Sequence, residues 1–148
     1  MIVAFLGHAT TIFDDNLKNK LREKLLKIIV ENEKVDFYLG GYGSFDSGCL
    51  TLLKTLKKTY SHINLVFITP YISDNYYKLK TAKYYYDETL YPPIESTPLK
   101  FAITKRNEWI VNNCDFLFCY VDRRYGGAYR AYKRALAKKV PLINLADY

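Results

Sequence analysis

The chain has little of what many small functional proteins are built on. Its three cysteines, Cys49, Cys114 and Cys119, show neither CxxC spacing nor an even count, which argues against a disulfide framework and a zinc knuckle. Reduced, mostly buried thiols in a cytoplasmic protein are the expectation. No apolar stretch approaches the length of a bilayer-spanning helix, so no membrane partner is expected. The apolar N-terminal residues follow no basic segment and soon meet Asp14 and Asp15, which argues against a secretory signal. A P-loop is excluded, because GxxxxGK[ST] occurs nowhere. A dinucleotide fingerprint is missing too, since the first strand exit reads Gly7-His8-Ala9-Thr10-Thr11 in place of GxGxxG. Nothing in the pattern calls for a cofactor or a metal.

Glycine is also scarce, and its placement is informative. The seven glycines are Gly7, Gly40, Gly41, Gly43, Gly48, Gly126 and Gly127, and each group follows an apolar run. Backbone is thus expected to come close to something at the carboxyl ends of several strands, where open α/β sheets bind their ligands. A length of 148 residues with 49% apolar content suits one domain, residues 1–148, with a sizeable core.

Ile2-Val3-Ala4-Phe5-Leu6 reads as a strand buried on both faces. Leu17, Leu21, Leu25, Ile28 and Ile29 then recur at helical spacing, predicting an amphipathic helix from about Asn16 to Asn32 capped by Asp15 or Asn16. The run Asp36 to Leu39 predicts a second strand, and Leu50, Leu53 and Leu56 a second helix. Asn64 to Thr69, stopped by Pro70, predicts a third strand. Residues 71–97 keep neither period: Tyr71, Tyr76, Tyr77, Tyr84, Tyr85, Tyr86 and Tyr91 crowd a segment closed by Pro92 and Pro93. Such an insertion either carries ligand-stacking rings or is a partly helical cover for core or a subunit interface. Thr97-Pro98 starts a helix to about Asn113, with Ile103, Trp109 and Ile110 inward. A strand at Phe116 to Val121, a helix at Ala128 to Lys138 and a strand at Val140 to Leu145 complete the chain. The alternation predicts a single-domain, Rossmann-like, doubly wound parallel sheet of about five strands in the order 3-2-1-4-5, flanked by helices on both faces.

A net charge of +7 raises the chance of an anionic partner. Between Arg123 and Lys139 stand Arg123, Arg124, Arg130, Lys133, Arg134, Lys138 and Lys139, with no acidic residue among them. Glycine corners that deliver N–H groups and helix N-termini suit phosphate or another anion. Near them, Asp46 and Asp122 are the candidate catalytic carboxylates; Asp46 or Ser44 is alternatively a helix cap. His8 is a candidate ligand contact or a structural histidine. Arg106 shares a helix face with Trp109, either to hold a phosphate or to pair with Glu108 or Asp115.

Taken in order, these residues resemble the SLOG superfamily. Gly7-His8 follows the first strand, Gly40-Gly41-Tyr42-Gly43 the second, Arg106 leads to Cys114-Asp115, and Gly126-Gly127 opens a helix. That group includes the Lonely Guy phosphoribohydrolases and the DNA-processing proteins of transformation. The likeness is greatest to a bacterial single-domain branch in which a GGYGxFD corner pairs with an RNxW helix, here Arg106-Asn107-Glu108-Trp109. The resemblance implies a ligand site built from Gly7, His8, Gly40, Gly41, Tyr42, Gly43, Ser44, Arg106, Gly126 and Gly127, beside which Arg130 and Lys133 would add positive potential. Lonely Guy enzymes place glycine, threonine and a catalytic glutamate after the paired glycines, where this chain has Tyr129, Arg130 and Lys133. A cation does not activate water or steady a ribosyl cation as a carboxylate does.

The leading expectation is therefore a protein that binds a nucleotide or nucleotide-derived small molecule, as a homo-oligomer, most simply a dimer. One alternative is an N-glycosidic-bond hydrolase or ribosyltransferase acting on nucleotides, either Lonely-Guy-like or deoxyribosyltransferase-like, with Asp46 or Asp122 as the carboxylate. Another is single-stranded nucleic-acid binding, with basic residues on phosphates and the tyrosines on bases.

Overall fold

Strand residues that alternate in sequence point to opposite faces, and here both faces are apolar. In the computed structural model, which describes residues 1–146, Val3 and Phe5 of β1 (Ile2–Gly7) enter one core, while Ala4 and Leu6 enter the other. The first core is closed by α1 (Asp15–Glu31), through Leu17, Leu21, Leu25 and Ile29, and by α2 (Ser44–Lys57), through Phe45, Cys49, Leu52, Leu53 and Leu56. The second is closed by Ile110 and Val111 of the helix Ala102–Asn112 and by Ala131 and Ala135 of the helix Gly127–Ala137. Helices on both faces explain why the strands read as unbroken apolar runs.

The other strands are β2 (Val35–Leu39), β3 (Ile63–Ile68), β4 (Glu88–Leu90), β5 (Phe116–Tyr120) and β6 (Leu142–Asn144). Together with β1 they form one parallel sheet in the order β4-β3-β2-β1-β5-β6. This is the doubly wound, Rossmann-like arrangement the sequence predicts, with one strand more. The additional strand, β4, lies within residues 71–97 beside α3 (Tyr77–Tyr85); α4 (Ala102–Asn112) and α5 (Gly127–Ala137) follow. Strand β4 has three residues at the sheet edge and none of them is buried, so it has no apolar run to announce it.

Element ends shift slightly from the sequence expectation. The cap of α1 is Asp14, one residue before Asp15, and its Oδ1 accepts from Leu17 N at 2.9 Å. A short 3-10 turn, Leu99–Phe101, intervenes between Pro98 and α4. The registers place Gly7 beside Tyr120, so the exits of β1 and β5 are neighbours. Chain connections leave β1 and β5 in opposite directions across the sheet, which makes their shared edge the switch point where a crevice opens.

Candidate functional site

Three loops meet at this edge. Leaving β1, Gly7 runs beneath Phe45, where a Cβ would lie 2.4 Å from the ring, so glycine here lets α2 close on the sheet. His8 N donates to Tyr120 O at 3.2 Å and ties the β1 exit to β5. Thr11 closes the turn by donating from N and Oγ1 to His8 O at 3.2 and 2.8 Å. Ser44 pins this loop to the start of α2: its N donates to Ala9 O at 2.9 Å, and its Oγ has Ala9 O, at 2.9 Å, and Thr11 O as acceptors for its one proton.

After β2, the chain wraps around a buried carboxylate. Gly40 N donates to Asp46 Oδ1 at 2.8 Å and Gly41 N donates to Asp46 Oδ2 at 2.9 Å. Burial raises the Asp46 pKa, while these two main-chain bonds and the charges of Arg106 and Lys78 act in the opposite direction. Arg106, 3% exposed, lies flat on Gly40 and donates from Nη1 to Gly40 O and Ile68 O, each at 2.8 Å. Its Nε donates to Asn107 Oδ1 at 2.9 Å. Burial lowers the Arg106 pKa and the charge of Asp46 acts against that. Neither Glu108, which pairs with Lys105 at 3.3 Å, nor Asp115, which accepts from Ile2 N at 2.7 Å, is its partner.

After β5, Asp122 Oδ1 accepts from Arg123 Nε at 2.9 Å, and that bond holds the Asp122 carboxyl below its ordinary range. Arg123 Nη1 also donates to Thr10 Oγ1 at 3.2 Å, joining the first and third loops. The first turn of α5 then opens at Gly126, whose φ of 94° lies in the left-handed region that favours glycine. No side chain caps this helix and nothing lies within 4 Å of where a Gly126 Cβ would stand. Gly126, Gly127 and Ala128 at the start of this helix line the same cavity as Arg123 and Arg130, and the first N–H groups of a helix have no partner within it.

The three loops enclose a cavity of about 400 Å³. Among the residues predicted from sequence it gathers Gly7, His8, Gly40, Tyr42, Asp46, Arg106, Gly126, Gly127 and Arg130. Gly41 and Gly43 instead line a second cavity of about 420 Å³ under α3, which Asp46 also borders. Ser44 is spent on the β1 loop, and Lys133 sits over the Tyr129 ring at 5.6 Å, outside both cavities. Asp122 is exposed and does not line the cavity, with its Oδ1 3.6 Å from His8 Nε2. Sequence reasoning missed Thr10, Thr104, Asn107, Arg123 and Tyr125 as wall residues. Thr104 and Asn107 stand one turn apart and share a helix face with each other, as Ile103 does with Arg106, and that spacing beside a candidate arginine is the signal that would have found them.

Of the tyrosines in the insertion, Tyr86 stacks on Phe67 at 5.1 Å and Tyr76 packs against Tyr71 at 5.1 Å, whereas Tyr77, Tyr84 and Tyr85 are exposed. Lys78 Nζ donates to Gly41 O and so ties α3 to the glycine corner. Among the described residues no group of His, Cys, Asp and Glu stands ready to hold a metal, and no helix is long and apolar enough to cross a membrane.

The architecture is that of the Rossmann-like α/β proteins with a switch-point cleft. Solved structures that share it include DNA processing protein A from Streptococcus pneumoniae, at a TM-score of 0.65 and 14% identity over 95% of this chain, and DNA processing protein A from Helicobacter pylori, at 0.63 and 13% over 96%. The second of these is described for its single-stranded DNA binding mode. This chain spans 48% and 63% of their respective lengths, and identities so low establish the shared fold alone. No family model matches the chain, and no curated protein matches it in sequence.

Proposed function

We propose that the protein binds a nucleotide or nucleotide-derived ligand in the cavity between the exits of β1 and β5, with the phosphate on the first turn of α5. The observation that carries this reading is the uncapped N-terminus of α5, open at Gly126 and flanked by Arg123 and Arg130. Main-chain N–H groups and a helix dipole favour an anion there, and guanidinium groups recognise phosphate with charge-assisted bonds. The volume of about 400 Å³ falls in the range of small-molecule sites. Membership of the SLOG group is in keeping with this reading, through the shared fold and the glycine corners. Binding without cleavage is favoured over hydrolysis or ribosyl transfer because both Asp46 oxygens already accept main-chain bonds.

The test is to purify the protein from its host, denature it and identify released small molecules by mass spectrometry, then incubate it with nucleoside mono- and diphosphates. An intact nucleotide retained and recovered is the expected result. Free base appearing in the incubation would replace this reading with the hydrolase one. A second reading, single-stranded nucleic acid, is favoured by the Helicobacter pylori neighbour and by exposed Tyr77, Tyr84, Tyr85 and Tyr125. It predicts oligonucleotide binding that weakens steeply with salt.

A further inference from the structure

His8 is the one residue among those described with a buried side-chain polar atom that lacks any hydrogen-bond partner, and that atom is Nε2. The ring is 7% exposed and forms part of the wall of the cavity. Buried polar groups without partners are rare, and each calls for an explanation, such as an ordered water, an ion or a functional partner. Asp122 Oδ1 is 3.6 Å away, beyond a good hydrogen bond, and is already held by Arg123. The charged groups around the ring are Asp122 and Arg123 from the β5 exit; Asp46 from α2, Arg106 from α4 and Arg130 from α5 border the same cavity. Burial and Arg123 disfavour the imidazolium, and Asp122 favours it, with burial the largest effect.

We propose that anion binding in this cavity is coupled to protonation of His8, so that the imidazolium, Arg123 and Arg130 complete the anion's site and each anion brings in about one proton. The proposal rests on the anion-binding reading above and adds its regulation. A negative charge placed beside the ring supplies what Arg123 and burial withhold. It therefore raises the His8 pKa in the bound state above that in the free state. Linkage fixes the sign: affinity is high below the free-state value and is lost as pH rises through the bound-state value, at most about tenfold per pH unit for one proton.

Inorganic sulfate is the probe, because its charge stays constant where histidine titrates. Calorimetry at about pH 5.5 and about pH 7.5 is expected to show sulfate affinity falling roughly five- to tenfold with rising pH, with proton uptake visible as a dependence on buffer ionisation heat. The His8→Gln variant is expected to bind with little pH dependence. Sulfate binding that is equally tight at both pH values, or a variant that keeps the wild-type slope, overturns the coupling and leaves the anion site intact. No sulfate binding at either pH removes both proposals together. Should the variant fold poorly, the wild-type imidazole resonances decide the matter. The chain has two histidines, and His62, whose Nε2 contacts Ile29 O at 2.7 Å, precedes β3 at the opposite edge of the sheet and serves as the control. The His8 titration is expected to move up with sulfate while that of His62 stays in place; a His8 titration unmoved by saturating sulfate overturns the coupling.

Discussion

Arg106 and Asp46 border the cavity, but the bonds they make run into the fold. The guanidinium joins the ends of β2 and β3 by donating to Gly40 O and Ile68 O, and the carboxylate gathers Gly40 N and Gly41 N from below. A planar fork suits this position, since one Nη1 serves two carbonyls while Nε reaches Asn107. Arg106→Lys replaces the fork by one ammonium, which leaves buried acceptors unpaired. It is expected to destabilise the protein by about 2–4 kcal/mol, read as a lower urea midpoint. An unchanged midpoint would show that the fork is not what holds the corner. The sequence marks Arg106 as important through its helix position and its likeness to a known motif. It does not reveal these partners, because they are main-chain oxygens 66 and 38 residues away, and a carbonyl carries no signature in the sequence. The orphaned Nε2 of His8 is hidden for the same reason: it arises from burial by three loops, none of which is adjacent to it in sequence beyond its own.

At the scale of elements, what the sequence displays depends on how each segment is buried. Strands β1, β2, β3 and β5 and helices α1 and α2 are covered well enough to print a period of two or of 3.6 on the chain. The segment from 71 to 97 hides its structure: α3 buries only Ala82, and the three residues of β4 lie at the edge with none buried. Its tyrosines divide between packing, as Tyr86 on Phe67, and exposure, as Tyr84. What fixes α3 to the corner is the bond from Lys78 Nζ to Gly41 O. Lys78→Met is expected to loosen α3 alone, speeding amide exchange across residues 77–85 by about tenfold, equivalent to about 1.4 kcal/mol, while β1 to β3 keep their protection. Equal exchange in the two proteins would show that α3 is held by its ring contacts instead.

For the molecule as a whole, the order of the five strands predicted from sequence is legible because strand and helix alternate, and the edge at which open α/β sheets bind ligands follows from that order. The division of labour among the glycine corners was not. Those at Gly40 and Gly41 spend their N–H groups on Asp46, whereas the one at Gly126 leaves the first turn of α5 open. Of the basic run that begins at Arg123, Arg123 and Arg130 line the cavity beside that open turn, so part of the net charge of +7 acquires a location. The account therefore stands on an anion at the head of α5, and amide shift mapping in a titration with a nucleoside 5′-monophosphate tests it most directly. The expected result is a set of saturable shifts gathered at residues 8–10 and 126–128, with the amides of residues 61–64 at the far edge unmoved. Saturable binding that leaves the amides of Gly126, Gly127 and Ala128 in place, or shifts gathered at that far edge, would contradict it.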